Sequence, residues 1–298
     1  MLNSMGSLFI NEFLQYIVYQ KKYSKNTYLA YKKDLEGFQQ FLKETYQIFT
    51  PVEISNEIIR TWVSHLINQK INPVSVKRKL SAMKSYFKYL KKEKFIEKNP
   101  ATNIAKLKTP KKLPTIVNSQ TIDSIIDNKP LNNYKEYLDY LIICILFGTG
   151  MRRNELINIL ESNVDTNSRL IKVMGKRSKE RIIPITEELA EQIDEFKNIK
   201  YAEKIESEYL LVTNKNKKLS ATYIYMIVKN KLSLYNVNGR KSPHILRHAY
   251  ATELLKNGAE LLSVKELLGH SSLASTQVYT HVNIEDLKKI YKKNHPKQ

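Results

Sequence analysis

Five short segments in the second half of the chain carry residue types that can act on a phosphate ester. They are TGMRRNEL at 149–156, MGKRSKERIIPI at 174–185, HILRH at 244–248, LLGHSS at 267–272 and TQVYTHV at 276–282. Arginine and lysine bind phosphate oxygens, histidine transfers protons near neutral pH, and tyrosine can act as a nucleophile. Each segment alone has an ordinary structural explanation, such as an exposed arginine at a helix start or a packed tyrosine. Their joint occurrence in this order indicates one catalytic site.

Together the segments closely resemble the catalytic domain of the tyrosine recombinases, the phage-integrase family, and the layout of the whole chain resembles the bacterial Xer recombinases. The resemblance covers essentially the whole chain and is strongest from Thr149 to Val282. In the N-terminal half it consists of a helical, SAM-like organisation, the segment SKNTYLAYKKDL and the basic charge. Two departures, Arg153 after the TGMR arginine and Ala249 after HILRH, lie outside the catalytic positions.

The resemblance implies a site without metal or nucleotide cofactor, in which DNA is cut through a transient 3′-phosphotyrosyl bond and exchanged through a Holliday junction. Six positions of this sequence match the catalytic residues of the family: Arg152, Lys176, His244, Arg247, His270 and the nucleophile Tyr279.

The residue types agree with that chemistry. Attack on a phosphodiester passes through a phosphorane with extra negative charge, which two planar arginine forks, Arg152 and Arg247, can clamp. His244 lies three residues before Arg247 on one predicted helix, so both can face the same phosphate, and it is the candidate base for the tyrosine. Lys176 at a hairpin tip is suited to protonate the departing 5′-hydroxyl, and His270 is expected to hydrogen-bond the phosphate.

Glu155 is a further candidate because it follows Arg152 by three residues and so shares its helical face. From there its carboxylate can orient the guanidinium group. An ordinary exposed ion pair is the alternative explanation of the same spacing.

Other classes of protein share parts of this pattern. His244 and His248 have the spacing of a zinc helix, but Ile, Leu and Arg lie between them and the arginine would repel a metal ion. A non-catalytic architectural DNA-binding protein would explain the basic charge alone. A type IB topoisomerase uses similar chemistry, and a mobile-element integrase is the nearest alternative to a chromosome-dimer resolvase acting at a dif-like site.

The elements that must position these residues are mostly helices. Four are predicted before residue 100: one near Leu8 to Gln20, one after a cap at Ser24 or Asn26, one over about Ser55 to Gln69, and one after Asn72-Pro73. In the second half, RLIKVM, the turn GKRSKE and RIIPI predict an antiparallel hairpin, and helices resume at about Glu187. Cys144, within LIICILF, is predicted to be a small buried side chain.

Length and charge favour two domains that bind a polyanion, and the resemblance implies a two-domain clamp around DNA that is mainly α with a small antiparallel sheet. The 298 residues carry a net charge of +20, and residues 1–112 hold 21 basic and 8 acidic side chains, a net charge of +13. A stretch with three prolines, NPATNIAKLKTPKKLPTIV, predicts a basic linker near residue 110. We therefore expect a helical core-binding domain at 1–105, the linker at 106–116 and the catalytic domain at 117–298.

The basic charge predicts duplex DNA as the partner. The candidate DNA-binding residues lie at the start of the fourth helix and in the linker: Lys77, Arg78, Lys79, Lys108, Lys111 and Lys112. No apolar run approaches the ~18 residues of a membrane span, and no secretory signal is evident at the start, so a cytoplasmic protein is predicted. The resemblance implies a tetramer of protomers on two DNA sites, with a paralogous recombinase and a septal DNA translocase as further candidate partners.

The segment after Tyr279 predicts a short amphipathic helix. Ile284, Leu287 and Tyr291 follow helical spacing, with Ile290 beside them. Because a helix this short is unstable alone, its apolar stripe is expected to pack into a groove on a partner surface. The resemblance implies that this groove lies on the adjacent protomer, and packing on its own domain is the alternative.

Overall fold

The computed structural model describes residues 8–104, 117, 119–130, 133–175 and 180–269. The chain divides into two compact units, Met1–Lys112 and Leu113–Gln298, each with its own hydrophobic core. Its architecture is mainly helical with a small antiparallel sheet, which confirms the predicted fold class. The predicted linker lies outside the described residues, and the limits of the two predicted domains stay a prediction.

Over its described residues, 8–104, the first unit contains four helices and a short 3-10 helix, Pro51–Glu53. The helices are α1 (Ile10–Tyr19), α2 (Lys25–Tyr46), α3 (Asn56–Asn68) and α4 (Pro73–Lys92). Of the two predicted caps for α2 the structure selects Ser24, whose Oγ accepts from the N–H of Thr27 at 3.3 Å. Ser55 and Asn72 cap α3 and α4 in the same way.

The core of the first unit is rich in aromatic side chains. Phe38 meets Trp62 edge to face with 4.9 Å between ring centroids, and Tyr86 is fully buried beside Phe87. The predicted apolar stripe of α4 is confirmed, since all its members are buried: Leu80, Met83, Phe87 and Leu90. Burial of this stripe leaves Lys77 exposed on α4.

The second unit surrounds one central helix, α6. Its elements are α5 (Ser119–Asp127), α6 (Tyr134–Thr149), α7 (Arg153–Ile157), β1 (Val164–Asp165), β2 (Leu170–Met174), β3 (Glu180–Pro184), α8 (Glu187–Ala202), α9 (Ala221–Leu234), α10 (Pro243–Lys256) and α11 (Leu261–Leu268), with a 3-10 helix at Glu161–Asn163. Helix α6 packs against α8 and α10 and is buried along most of its length, which explains the run LIICILF. Cys144 is buried there, as predicted.

The three strands form an antiparallel sheet in the order β1-β2-β3. The predicted hairpin is confirmed, with Ile171 opposite Ile183 and Val173 opposite Arg181. Glu180, predicted to lie in the turn, instead belongs to β3 and pairs with Met174, so that boundary was wrong by one residue. The two-residue strand β1 was not predicted, because a strand of that length has no alternation to detect.

Gly150 ends α6 in a left-handed conformation, with φ of 58°. A Cβ atom at this position would lie 2.4 Å from Cδ1 of Tyr250 on α10, so only glycine fits. The close approach brings the end of α6 against α10. It thereby places the carbonyl of Gly150, and the TGMR segment that follows, beside the HILR segment.

Candidate active site

Arg152 caps the start of α7 with extended backbone angles, φ −76° and ψ 147°. Its Nη1 donates to Oε1 of Glu155 at 2.8 Å, and its Nη2 donates to the carbonyl of Gly269 at 2.7 Å. The side chain remains 31% exposed. Its guanidinium group is therefore fixed on two sides while part of it still faces solvent, as binding of an external phosphate would require.

Glu155 is the acidic centre of this arrangement. Its side chain is only 5% exposed, so the alternative of an ordinary surface ion pair is wrong. The carboxylate accepts the main-chain N–H of Arg152 at 2.7 Å as well as its guanidinium, and it accepts two further bonds from Arg181 at 2.8 Å each. Burial alone would raise the pKa of Glu155, but the hydrogen bonds from Arg181 and Arg152 outweigh it and lower the pKa to about 2.

Arg247 lies on the buried side of α10, one helical turn after His244. Its Nη1 donates to the carbonyl of Gly150 and its Nη2 to the carbonyl of Leu268, both at 2.6 Å. Burial, followed by the positive charge of Arg152, lowers the pKa of Arg247 to about 10. The side chain stays protonated at neutral pH, and the two arginines lie close enough to repel each other.

The C-terminal end of α11 gathers three arginines, here called the arginine cluster. Successive carbonyls accept from different members: Leu267 from Arg181, Leu268 from Arg247 and Gly269 from Arg152. The partial negative charge at the end of a helix favours cations there. Within the described residues the cluster and Glu155 combine three positive charges with one negative charge, so the arrangement is suited to bind an anion.

Arg181, a member of the cluster, was missed by the sequence reasoning. It lies on β3 and its side chain is 15% exposed. The signal that could have found it is strand alternation, since Arg181 shares a face with the buried Ile183 two residues later. An arginine on the inward face of a strand needs a buried acceptor, which here is Glu155.

His244 lies in the first turn of α10 and is exposed to solvent. The protein nevertheless removes part of the water around its ring. This partial desolvation, followed by the positive charges of Arg153 and Arg247, lowers the pKa of His244 below the ordinary histidine value. The imidazole is therefore neutral at pH 7 and able to accept a proton. This state agrees with the role of base, which stays a prediction.

Lys176, His270 and Tyr279 lie outside the described residues, as do Lys108, Lys111 and Lys112 of the linker and the whole segment 284–298. Their nearest described neighbours are nevertheless informative. Gly175 follows β2 directly, and Gly269, whose carbonyl binds Arg152, directly precedes His270. The structure thus brings Arg152, Glu155 and Arg247 together, while Lys176, His270 and Tyr279, like the role of His244, stay predictions.

In the first unit, two of the predicted DNA-binding residues have an internal partner. Arg78 and Lys79 both form ion pairs with Asp34, whose side chain is 1% exposed, and the Lys79 pair measures 3.2 Å. These cations compensate a buried carboxylate, so less of their charge is available to a phosphate. Lys77 remains exposed on the neighbouring position of α4.

Within the part of the chain that the structure describes, there is no group of three or more His, Cys, Asp or Glu side chains arranged to hold a metal ion. His244 and His248 share α10, and both are exposed. In the same described ranges, no helix has the length and apolar character needed to cross a membrane.

The comparisons with known proteins decide the family. The profile described as "Phage integrase family" matches residues 116–286, and "Phage integrase, N-terminal SAM-like domain" matches residues 10–94. The chain belongs to the phage integrase family, the tyrosine recombinases. Members are DNA strand-transferring enzymes, and this recombinase is 33% identical to tyrosine recombinase XerD of Staphylococcus aureus over 97% of its own length and 98% of that protein. XerD of Staphylococcus haemolyticus is equally similar, at 33% over the same shares of the two chains.

Solved structures share the fold of the recombinase. The XerH site-specific recombinase bound to palindromic difH substrate, a post-cleavage complex, aligns with a TM-score of 0.74 at 20% identity, covering 97% of each chain. A lambda integrase dimer bound to a COC′ core site aligns with a TM-score of 0.67 at 16% identity, covering 92% of this chain and 98% of that one. At these identities the likeness establishes the fold alone.

Proposed function

We propose that the recombinase binds duplex DNA and exchanges strands at a specific site through a 3′-phosphotyrosyl bond to Tyr279. The observation that carries this proposal is the arginine cluster with Glu155, a preorganised anion site in which Arg152 stays partly exposed. Preorganised donors aimed at developing charge are usually the largest contribution to catalysis of this kind. No metal or nucleotide takes part in the proposed reaction.

In the proposed first step, the hydroxyl oxygen of Tyr279 bonds to phosphorus and its proton passes to His244. The bond between phosphorus and the 5′-oxygen breaks, and that oxygen takes a proton from Lys176. The DNA 3′-phosphate is then esterified to Tyr279, which conserves the energy of the phosphodiester. Attack by a 5′-hydroxyl from a partner strand reverses the step, joins new ends and leads to a Holliday junction.

Arg152 and Arg247 are proposed to bind the non-bridging oxygens, with His270 donating a further hydrogen bond. The scissile phosphate carries one negative charge and the phosphorane carries two. The described site has a net charge of +2 from Arg152, Arg181, Arg247 and Glu155. Such a site stabilises the phosphorane more than the ground state, which is the requirement for accelerating the reaction.

The biological role proposed is resolution of chromosome dimers at a dif-like site in the cytoplasm, by a tetramer on two DNA sites. Similarity to XerD along 97% of the chain supports this role, as does the shared fold with XerH, which was crystallised on difH substrate. A paralogous recombinase and a septal translocase are proposed partners. Integration of a mobile element is the second candidate, favoured by the fold shared with the Tn1549 transposon integrase, at a TM-score of 0.70.

The proposal is tested by covalent trapping on a suicide duplex nicked close to the cleavage site, with a dif-like sequence. Loss of the short fragment after cleavage removes the 5′-hydroxyl needed for religation, so protein should remain attached to DNA after denaturation. Peptide mass spectrometry should place the phosphodiester on Tyr279. DNA binding without any adduct would instead identify an architectural DNA-binding protein.

Cleavage should depend on pH through His244. Because its pKa is lowered, the neutral base persists below the ordinary histidine pKa of about 6.5, and the rate should fall only at lower pH. The measurement is the single-turnover cleavage rate between about pH 5 and about pH 8, the range in which histidine titrates. His244→Gln should cleave slowly and lose this acidic limb. An unchanged limb in that variant would assign the titration to another group.

DNA affinity should depend on Lys77 and on the linker lysines. Removing one lysine that binds a phosphate should reduce the slope of log K against log salt by ~0.9. Replacing Lys108, Lys111 and Lys112 together by glutamine should therefore flatten the slope, as should Lys77→Gln. Lys79→Gln is the matched control. Because Lys79 forms an ion pair with buried Asp34, its main expected effect is on the stability of the fold and not on the salt slope. An unchanged slope after the triple replacement would show that the linker lysines do not bind phosphate.

Deleting residues 284–298 should uncouple the protomers. If their apolar stripe docks on a neighbour, binding to an isolated half-site should stay within about twofold, because a half-site holds one protomer and no interface between protomers. Cooperative filling of the full site and strand exchange should fail. Gel-shift titration of half-site and full-site duplexes measures both effects. Normal recombination by the truncated chain would contradict the exchange of this segment, and loss of folding would place the segment in the core of its own domain.

A further inference from the structure

Arg181 is not one of the six catalytic candidates, yet its side chain binds both Glu155 and the end of α11. Its Nη1 and Nη2 bind the two oxygens of Glu155 in a fork, each at 2.8 Å, and its Nε donates to the carbonyl of Leu267 at 3.3 Å. A fork of this kind fixes the plane and direction of the carboxylate as well as its charge. Arg181 therefore determines the orientation of Glu155.

Glu155 in turn determines the orientation of Arg152. Its oxygens accept both the main-chain N–H and the guanidinium Nη1 of Arg152, at 2.7 and 2.8 Å. The start of α7 and the end of its first side chain are thus held by one carboxylate. Without Arg181, that buried carboxylate would lose two of its four hydrogen bonds and the fork that fixes its plane.

Arg181 also supports the end of α11. Gly269 has φ of 64°, and a Cβ atom there would lie 3.2 Å from Cδ of Arg181, so the backbone packs closely on the arginine stem. The carbonyl of this glycine binds Arg152, and the preceding carbonyls bind Arg247 and Arg181. One side chain from β3 thus contacts both structures that hold Arg152 in place.

We propose that Arg181 is a positioning residue for strand cleavage, which acts through Glu155 and the end of α11 to hold Arg152 on the scissile phosphate. This inference rests on the proposed function. Arg181 is assigned this role rather than phosphate binding because both its Nη atoms bind the carboxylate of Glu155, which balances its charge, and its Nε binds the carbonyl of Leu267. Its removal should therefore impair cleavage and leave DNA binding unchanged.

The first measurement is the single-turnover cleavage rate of the full-length chain on the suicide duplex. Arg181→Met should cleave about 10²-fold more slowly, because displacement of a catalytic group by about 1 Å costs that much. Lys172→Met is the control on the same hairpin, since it removes only an exposed ion pair with Glu180. Arg181→Lys keeps the charge without the fork and should fall between the wild type and Arg181→Met. Arg181→Lys is the variant to compare with the wild type if Arg181→Met does not fold.

A double-mutant cycle shows whether Arg181 acts through Glu155. In a Glu155→Gln background, adding Arg181→Met should slow cleavage by only a few-fold, because residues that act as a unit are strongly non-additive. Equal effects of Arg181→Met in both backgrounds would overturn the proposal.

A substrate with altered charge separates positioning of Arg152 from a general loosening of the fold. With a methylphosphonate at the scissile position, one non-bridging oxygen is replaced by a methyl group, so the arginine clamp has less charge to stabilise. The ratio of wild-type to Arg181→Met or Arg181→Lys rates should then shrink towards one. A ratio that stays the same on both substrates would indicate a structural role only and would overturn the proposal.

The 5′-bridging phosphorothiolate provides the complementary test, because its leaving group needs no proton. Arg181 variants should not be rescued by it, and selective rescue would overturn the proposal by showing that Arg181 acts through Lys176 instead. A wild-type chain that forms no adduct would overturn the proposed function together with this inference. A wild-type chain that forms the adduct, with Arg181 variants equally fast, would overturn the inference alone.

Discussion

Replacing Tyr279 by phenylalanine is expected to abolish covalent attachment to DNA while leaving DNA affinity within about twofold, since most of that affinity comes from phosphate contacts. The phenolic oxygen is the atom that bonds to phosphorus in the proposed reaction. Phenylalanine keeps the ring and removes only that oxygen, so binding is preserved and chemistry is lost. The measurement is adduct formation on the suicide duplex, beside a gel-shift titration on the intact duplex.

Tyr291→Phe is the matched control, because it removes a phenolic oxygen twelve residues downstream in the same C-terminal segment. It should form adduct at the wild-type rate. Full adduct formation by Tyr279→Phe would show that another residue is the nucleophile. Loss of DNA binding in that variant would show that it fails to fold, and the location of the adduct on Tyr279 in the wild-type chain would then decide.

Replacing Lys176 by alanine is expected to slow cleavage of an ordinary phosphodiester by ~10²–10⁴-fold, the usual contribution of a general acid. Without a proton donor the 5′-oxygen must leave as an alkoxide, which is a poor leaving group. A 5′-bridging sulfur leaves as a thiolate and needs no proton, so this substrate should restore much of the rate. Rates on the two substrates, measured in single turnover, give the selective rescue.

Lys179→Ala provides the control, since Lys179 belongs to the same predicted turn and carries the same charge. It should cleave both substrates at nearly the wild-type rate. Arg152→Ala and Arg247→Ala should be slow on both, because in the proposed reaction these residues act on the non-bridging oxygens. Equal defects of Lys176→Ala on both substrates would show that Lys176 is not the general acid.

Local signals predicted the four helices of the first unit. Ser24, Ser55 and Asn72 are followed by helices at the expected positions because a short polar side chain satisfies the first N–H groups of a helix. The prediction that helices resume at about Glu187 is confirmed, since α8 begins there. The first helix begins at Ile10 rather than near Leu8, and Glu180 extends β3, because element ends depend on partners that local patterns do not contain.

The residue types and order of the short segments, through their resemblance to the tyrosine recombinases, indicated which residues are candidates, Arg152 and Arg247 among them. Only the tertiary structure decided how they are held. The burial of Glu155, the fork from Arg181 and the three carbonyls at the end of α11 join residues that lie 21 to 117 positions apart in the chain. Such contacts have no local signal, because they arise only where the hairpin, α7 and α11 meet. Whether Glu155 forms an exposed ion pair or orients Arg152 therefore depends on how these elements pack together.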